Sequence, residues 1–340
     1  MEDEIHVSTD CRFAAIYDGH GGADVSRYLH ENLMRQARKA LAGGDDANAA
    51  CDENDGGALS STQDVAAIAG ALRVAFRTVS DAIAERVAWN EMGSTAAVVL
   101  VQDETLISAN VGDSRAVLSR SGQALALTLD HKPDSPSERA RIEALGGEVT
   151  WVGQRDANGV PIVGEGVYRV NGTLAVSRSL GDVPARPYVS DEVEIRALAR
   201  DRGADEFVLI ASDGLWDVMS SGEAVAFVHS CLNRASHRET RVRSRNDIVA
   251  QSPIPGGGAV VAQSPMTRFD TRGRKIDPTA TEPRGPTDGG VNRVSPYSMH
   301  GTNRRKRLMA RYLMEEAMRR GSMDNITVIV LWLDNDGSET

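Results

Sequence analysis

Cysteine, aromatic residues and long apolar runs are all scarce in this 340-residue sequence. The three cysteines, Cys11, Cys51 and Cys231, are far apart and form neither a disulfide framework nor a CxxC metal site, which predicts reduced thiols inside the cell. No apolar stretch approaches the roughly 20 residues that a membrane-spanning helix needs. The opening MEDEIHVSTD is acidic where a secretory signal is basic. We therefore expect an intracellular protein, cytoplasmic or nuclear, that makes no membrane contact.

Basic residues are too few for a nucleic-acid-binding domain, which usually carries a net positive charge. The chain has 38 Lys and Arg against 48 Asp and Glu, so its formal net charge is −10. Aromatic residues make up only 4% of the chain, and the core must therefore consist mainly of Ala, Val, Leu and Ile. With 41% hydrophobic residues the sequence can bury such a core, which excludes wholesale disorder. We expect a soluble, globular monomer that binds no nucleic acid.

Two stretches differ in composition from the rest of the chain. Residues 43–64 are rich in Gly, Asp, Asn and Ser and show no apolar period, which predicts an acidic surface loop. Residues 235–303 are rich in Pro and Gly and contain more basic than acidic residues. Such a segment buries too little apolar surface to offset its ordering entropy, so we predict disorder there. Because the sequence beyond it completes the fold begun before it, we predict a single domain over residues 1–340 that contains this insertion.

Apolar periodicity predicts both strands and helices along the remaining sequence. The predicted strands are Arg12–Tyr17, Ala96–Val101, Thr105–Val111, Arg115–Ser119, Ala124–Leu129, Phe207–Ala211 and Ile326–Leu333. The predicted helices are Asp24–Leu41, Val65–Val87, Ser137–Leu145, Ser221–Leu232 and Arg304–Arg319. Short turns join several strands, and such turns connect only antiparallel neighbours. Since strands and helices do not alternate regularly, we predict an α/β fold of layered antiparallel sheets with helices packed outside.

Aspartates stand at the ends of strongly apolar strands: Asp18, Asp113 and Asp213 follow such runs, and Asp324 precedes one. Strand ends are rigid places to hold a ligand. Converging carboxylates repel one another and raise one another's pKa, and a bound divalent cation removes that penalty. Oxygen ligands without a Cys or His cluster favour a hard ion, Mg²⁺ or Mn²⁺. The alternative is ordinary turn chemistry, since Asp beside Gly is common where a strand ends.

Six short motifs occur in order around these aspartates. They are Tyr17–Gly22 (YDGHGG), Gly93–Ala96 (GSTA), Val111–Arg115 (VGDSR), Leu174–Asp182 (LAVSRSLGD), Ala211–Asp217 (ASDGLWD) and Asp324–Thr327 (DNIT). Together they closely resemble the metal-dependent protein serine/threonine phosphatases of type 2C. The resemblance extends from Met1 to Leu333, apart from the two variable stretches. It implies two stacked antiparallel sheets between layers of helices, an α-β-β-α sandwich.

The resemblance also implies an activity, the hydrolysis of phosphoserine and phosphothreonine in phosphorylated proteins. Two Mg²⁺ or Mn²⁺ ions about 3.5–4 Å apart would share a water, lower its pKa and direct it at phosphorus. No covalent phospho-enzyme would form, and an acid would protonate the departing oxygen. Asp18 matches the ligand that bridges both ions, and Gly19 offers its backbone carbonyl to one of them. Asp213 and Asp324 match ligands of the other ion.

Further site positions follow from the same resemblance. Asp113 and Asp217 match ligands of a third, looser ion. His20 matches the general acid that works beside Asp18, and its alternative is a turn histidine bonded to a neighbour. Glu2 matches a further metal ligand. The residues implied to support these ligands are Asp3 and Asn325.

Two features set this sequence apart from the family pattern. Within the flap, residues 148–190, an extra stretch at Gly153–Gly166 either tunes substrate choice or is a neutral surface insertion. Members usually carry a phosphate-binding arginine shortly before the position of Met1–Asp3, and none precedes it here. We therefore expect a truncated N-terminus, with Glu2 and Asp3 frayed and the first edge strand missing. The alternative functions are a phosphatase-like protein that binds phosphorylated partners without turnover, and a phosphoesterase of small molecules.

Overall fold

Antiparallel strands form two five-stranded sheets in the computed structural model of this chain. The structure describes residues 2–42, 64–233, 257–264 and 301–333. Its strands, in chain order, are β1 (Glu4–Val7), β2 (Phe13–Tyr17), β3 (Gly19–His20), β4 (Gly93–Ser94), β5 (Ala96–Val101), β6 (Thr105–Val111), β7 (Arg115–Arg120), β8 (Gln123–Ala126), β9 (Val149–Arg155), β10 (Pro161–Val170), β11 (Leu180–Gly181), β12 (Glu194–Ala199), β13 (Asp205–Ala211), β14 (Gly257–Ser264) and β15 (Ile326–Leu333). Its α-helices are α1 (Asp24–Leu41), α2 (Val65–Ala84), α3 (Pro136–Ala144), α4 (Asp213–Trp216), α5 (Ser221–Asn233) and α6 (Gly301–Arg319).

The strand order is β1-β2-β5-β6-β12 in the first large sheet and β14-β15-β13-β7-β8 in the second. Every neighbouring pair in these two sheets is antiparallel, as predicted. Strand β1 occupies an edge of the first sheet, where Glu4 is opposite Tyr17. The residues directly after Asp3 are thus paired within the sheet, and the expectation of a missing earlier edge strand stays a prediction.

Each large sheet is buried on both faces, which explains why its central strands are nearly continuous apolar runs. Successive side chains of a strand point to opposite faces. In β2, Phe13 and Tyr17 pack against α1 and α2, whereas Ala14 and Ile16 belong to the core between the two sheets. Strand β15 alternates likewise between the inter-sheet core and a core shared with α4, α5 and α6. The order of layers is therefore helix, sheet, sheet, helix, which confirms the predicted fold class.

Helices α1 and α2 cover the first sheet through apolar stripes at helical spacing. Leu29 and Leu33 of α1 and Leu72 and Phe76 of α2 are fully buried, or nearly so, in the same core. Helix α1 has its predicted bounds, and α2 ends at Ala84, three residues before its predicted end. The periodic pattern therefore predicted the two helices and the face that each one buries.

The prediction of disorder across residues 235–303 is wrong for residues 257–264, which form the edge strand β14, and for residues 301–303, which begin α6. This strand pairs with β15 along its whole length. Its Ala259–Ala262 segment is buried, and Val260 and Ala262 contribute to the core that α6 covers. The Pro, Gly and charge content of the long segment concealed a short apolar run. Residues 234–256 and 265–300, and residues 43–63 of the predicted acidic loop, lie outside the described part of the chain.

Strands β9 and β10 pair as a hairpin within the flap. The stretch Gly153–Gly166 forms its distal part, where Gly153 is opposite Gly166 and a Cβ on either glycine would collide with the backbone of the other strand. At the base of the hairpin, Val149 and Val170 pack with Ile142 of α3. The extra stretch is therefore an extension of a regular hairpin that is anchored by its own small core.

The structure also bears on membrane and cysteine chemistry. Among the helices it describes, none is both long enough and apolar enough to cross a bilayer. Cys11 is buried and Cys231 is half-buried, and neither forms a disulfide within the described residues. Cys51 lies outside the described residues.

Candidate functional site

Aspartates at strand ends of both large sheets lie close enough for the charge of each to affect the pKa of the others. Asp18 lies between β2 and β3, Asp213 begins α4 with one residue between it and the end of β13, and Asp324 precedes β15. Burial raises the pKa of Asp18 well above its usual range. The nearby charges of Asp3 and Asp213, and then those of Asp113 and Asp324, raise it further. The separate strand-end aspartates of the sequence therefore form one acidic centre.

Asp213 is affected by the same neighbours. Burial raises its pKa first, and the charge of Asp113 contributes next. The ammonium of Lys132 acts in the opposite direction, while Asp217 and Asp324 add to the increase. In the absence of a bound cation, ionised Asp213 is thus destabilised by its surroundings.

Hydroxyl groups hold together the two loops that carry Asp213 and Asp324. The backbone N–H of Thr327 donates to Ser212 Oγ at 3.0 Å, and Ser212 Oγ donates to the carbonyl of Asn325 at 3.3 Å. The backbone N–H of Asn325 also donates to Asp324 Oδ1 at 2.7 Å. Strands β13 and β15 are neighbours in the second sheet, so strand pairing already brings the two loops together. The hydrogen bonds of Ser212 and Asn325 then fix the loops relative to each other.

Asp3 is fixed beside Asp18 rather than frayed, which corrects the expectation for the start of the sequence. It is only 4% exposed and accepts a hydrogen bond from Thr327 Oγ1 at 2.5 Å. Burial raises its pKa to about 6, although hydrogen bonds with Thr327 and Asp18 act in the opposite direction. The carbonyl of Glu2 accepts a hydrogen bond from Ser26 Oγ at 2.5 Å. The chain around Glu2 and Asp3 is therefore tied to both large sheets and to α1.

Thr95 of the GSTA motif connects the loops of Asp18 and Asp113. Its backbone N–H donates to the carbonyl of Asp18 at 2.9 Å, and its Oγ1 accepts from the backbone N–H of Asp18 at 3.3 Å. The same Oγ1 lies 2.7 Å from Ser114 Oγ, next to Asp113. Thr95 is 2% exposed, so these contacts are shielded from water. Thr95 of this motif thus fixes the loops of Asp18 and Asp113 relative to each other.

The donor set suits a hard divalent cation, because Asp18, Asp213 and Asp324 offer carboxylate oxygens. A cation would relieve the repulsion that raises the pKa of Asp18 and Asp213. Within the described residues, no three His, Cys, Asp or Glu side chains already surround one common ion position. The aspartates therefore have the chemistry of a metal site and lie close enough to raise one another's pKa, but they do not form a ready-made ligand cage.

His20 and Asp182 form a pair that the sequence pattern did not reveal. His20 Nε2 lies 2.7 Å from Asp182 Oδ2, and Ser179 Oγ donates to the same oxygen at 2.5 Å. Asp182 is 5% exposed and has a left-handed backbone with φ of 44°. Burial alone would lower the pKa of His20, but the hydrogen bond and charge of Asp182 raise it above its usual value. The signal that could have identified Asp182 is its position at the end of the LAVSRSLGD motif.

The contact between His20 and Asp182 depends on Gly93. This residue lies in β4, which pairs with β3 on one side and β11 on the other. A Cβ at position 93 would collide with both Asp182 Oδ2 and His20 Nε2. The glycine therefore leaves the space in which the two side chains meet.

Lys132 is a further site residue that the motifs did not reveal. Its Nζ lies 2.8 Å from Asp113 Oδ2 and 3.5 Å from Asp217 Oδ1. Burial would lower the pKa of Lys132, but the charges of Asp113 and Asp217 raise it above its usual value, so the side chain stays an ammonium. The two predicted ligands of a third ion thus share a lysine.

Known proteins are similar to this chain in sequence. A family model described as Protein phosphatase 2C matches residues 3–252. Probable protein phosphatase 2C 8 of Oryza sativa subsp. japonica is 39% identical over 244 residues, which are 68% of this chain and 54% of that protein. Protein phosphatase 2C 50 of the same organism is 31% identical over 326 residues, which are 93% of this chain and 67% of that protein. The chain thus spans about half to two thirds of the length of these relatives.

Solved structures share the fold. A sex-determining protein of C. elegans matches with a TM-score of 0.62 and 20% identity, covering 97% of this chain and 61% of that one. Serine-threonine phosphatase 2C from Toxoplasma gondii matches with a TM-score of 0.54 and 17% identity, covering 98% of this chain and 90% of that one. At such low identity these similarities concern the architecture alone.

Proposed function

The chain belongs to the protein phosphatase 2C family, and on that premise we propose that it is a metal-dependent hydrolase of phosphoserine and phosphothreonine in proteins. The observation that carries the proposal is the convergence of Asp18, Asp213 and Asp324 in one acidic centre. The pair formed by His20 and Asp182 supports it, because it supplies a candidate acid in the same part of the fold. An acidic centre alone would bind metal, whereas hydrolysis also needs a group that protonates the departing oxygen.

The aspartates of the centre would hold two Mg²⁺ or Mn²⁺ ions. Asp18 and the carbonyl of Gly19 would provide one set of oxygens, and Asp213 and Asp324 the other. Two such ions, when bound, lower the pKa of a water and offset charge on the phosphoryl oxygens. The buried Asp3 holds Asp18 in position, because it forms hydrogen bonds with both Thr327 and Asp18. Thr95 keeps the Asp18 loop in register with the loop of Asp113.

His20 would donate the proton that the leaving serine or threonine oxygen requires. Asp182 occupies Nε2 of the ring, so the proton has to leave from Nδ1. The charge of Asp182 favours the imidazolium and therefore keeps the acid loaded. The His20 side chain is 33% exposed, which leaves it accessible to a substrate, whereas that of Asp182 is only 6% exposed. Asp182 thus acts as a positioning residue behind the acid.

Phosphate release from a phosphothreonine peptide tests the proposal. The whole chain is assayed with Mn²⁺ and again with excess chelator, beside the variants Asp213→Asn and Asp81→Asn. Asp81 is an exposed residue of α2, away from the acidic centre, and serves as the matched control. We expect release that the chelator abolishes, a loss of at least about 100-fold in Asp213→Asn, and no change in Asp81→Asn.

Other outcomes separate the alternative functions. Peptide binding without phosphate release, in the presence of Mn²⁺, would overturn the enzyme and favour a binding protein. Release from an aryl phosphate that the phosphopeptide does not inhibit would favour a phosphoesterase of small molecules.

A further inference from the structure

Lys132 stands where a third ion was expected. The resemblance assigns a looser cation to Asp113 and Asp217, yet the ammonium of Lys132 already contacts Asp113 Oδ2 at 2.8 Å and Asp217 Oδ1 at 3.5 Å. The Asp113 side chain is 3% exposed, and a carboxylate so deeply buried requires a partner of opposite charge. The Asp217 side chain is 57% exposed and needs no such partner. The main ion-pair partner of Lys132 is therefore Asp113.

The backbone holds Lys132 in register with Asp113. The backbone N–H of His131 donates to the carbonyl of Gly112 at 3.0 Å. In return, the backbone N–H of Gly112 donates to His131 Nδ1 at 3.1 Å. The residue before Lys132 is thus bonded twice to the residue before Asp113. This reciprocal contact distinguishes Lys132 from a surface lysine whose ion pair is one of many rotamers.

Arg115, another cation near the acidic centre, forms its ion pair with a different carboxylate, that of Asp130. Arg115 Nε and Nη2 donate to the two oxygens of Asp130 at 2.8 and 2.6 Å, and the guanidinium lies over the ring of Trp216 at 5.0 Å. A guanidinium held in this way is not available to replace Lys132 at Asp113. Lys132 alone provides a close ammonium contact to Asp113 among the ion pairs of the described residues.

We propose that Lys132 is an internal counter-cation that takes the place of a third divalent ion between Asp113 and Asp217. The inference rests on the proposed two-ion centre, because the same acidic cluster forms both positions. A lysine carries one compact charge on a flexible stem, so a divalent ion could enter only by displacing Nζ from Asp113. The chain therefore binds two ions, and loss of the lysine charge opens a further site.

Counting bound Mn²⁺ tests this inference without any assay of turnover. The free Mn²⁺ remaining in solution is measured by electron paramagnetic resonance as the whole chain is titrated. We expect Lys132→Met to bind one more equivalent than the unsubstituted chain, or to tighten the weakest site at least about tenfold. Lys132→Arg keeps the charge and should gain nothing, and neither should Lys39→Met, which removes an exposed lysine of α1.

An unchanged count and affinity in folded Lys132→Met would overturn the inference, as would a third tight site in the unsubstituted chain. The double variant Asp113→Asn/Lys132→Met removes the ligand with the lysine and should lose the extra equivalent. If Lys132→Met folds only when Mn²⁺ is present, the ion has replaced the lysine, which supports the inference. If it remains unfolded with Mn²⁺, the ion cannot replace the lysine, and the inference fails. A chain that binds the expected ions but releases no phosphate would contradict the proposed function alone.

Discussion

His20 Nε2 and Asp182 Oδ2 lie 2.7 Å apart although 162 positions separate the two residues in the chain. The contact is made across the small sheet β11-β4-β3, since His20 ends β3 and Asp182 directly follows β11. The carboxylate raises the pKa of the imidazole against the effect of burial. A histidine that would otherwise lose its proton is thereby kept as an acid.

Asp182→Asn tests this relationship. Without the negative charge the pKa of His20 should fall, so the acid is lost at a lower pH and the basic limb of the kcat profile moves to lower pH. We expect kcat on a phosphothreonine peptide to fall about 100-fold, and kcat on an aryl phosphate to fall much less, because its leaving group needs no proton. Equal losses on the two substrates would indicate a structural role only.

Gly93→Ala should push His20 and Asp182 apart through a steric clash. The added methyl group would collide with both His20 and Asp182, so we expect a loss of kcat similar to that of Asp182→Asn. Gly70→Ala is the matched control, because nothing lies within 4 Å of a Cβ at that position of α2. The control should raise the free energy of unfolding by about 0.5–1 kcal/mol and leave kcat unchanged. Full activity of Gly93→Ala would contradict the importance of the contact.

Asp213→Asn should make the stability of the chain less dependent on metal. Burial and nearby charges raise the pKa of Asp213 in the folded state, so its ionised form costs stability that is recovered as the pH falls. The metal-free variant should therefore melt at a higher temperature than the unsubstituted chain at pH 8. An ion at 100 times its Kd stabilises the unsubstituted chain by about 2.7 kcal/mol, and the variant should gain less. Thermal unfolding with Mn²⁺ and with chelator measures both effects, and identical shifts in the two proteins would exclude Asp213 as a ligand.

Glu138 should make the fold sensitive to acid. Its side chain is 4% exposed, and Arg178 and Arg141 donate to it at 2.6 and 2.9 Å. Burial opposes ionisation, but these two partners lower the pKa from 4.5 to about 2. Because the folded-state pKa is lowered, this stabilisation is present above about pH 4.5 and is lost as the pH falls towards about 2.

Glu138→Gln should accordingly be about 2–3 kcal/mol less stable than the unsubstituted chain at pH 7, with a difference that shrinks below pH 4.5. Urea unfolding across this pH range provides the measurement. Glu143→Gln is the control, since the more exposed pair of Glu143 with Arg139 should contribute under about 1 kcal/mol. A constant difference at every pH would show that Glu138 acts through packing alone.

Apolar periodicity by itself determined most of the regular elements. The strands Ala96–Val101, Thr105–Val111 and Ile326–Leu333 and the helix Asp24–Leu41 have the bounds that the sequence predicts. They could be predicted because burial on two faces, or along one helical stripe, leaves a pattern within a single segment. Strand β14 escaped prediction because its short apolar run lies in a long segment of opposite composition.

The sequence by itself also identified Asp18, Asp113, Asp213 and Asp324 as strand-end carboxylates, since that position is a local property. Which side chain meets which was decided by the tertiary structure. The contact of Asp182 with His20 and that of Lys132 with Asp113 depend on strand register and loop packing between distant segments. No local pattern encodes them, because the same Asp or Lys in a turn would be solvated if its partner strand were shifted by one residue.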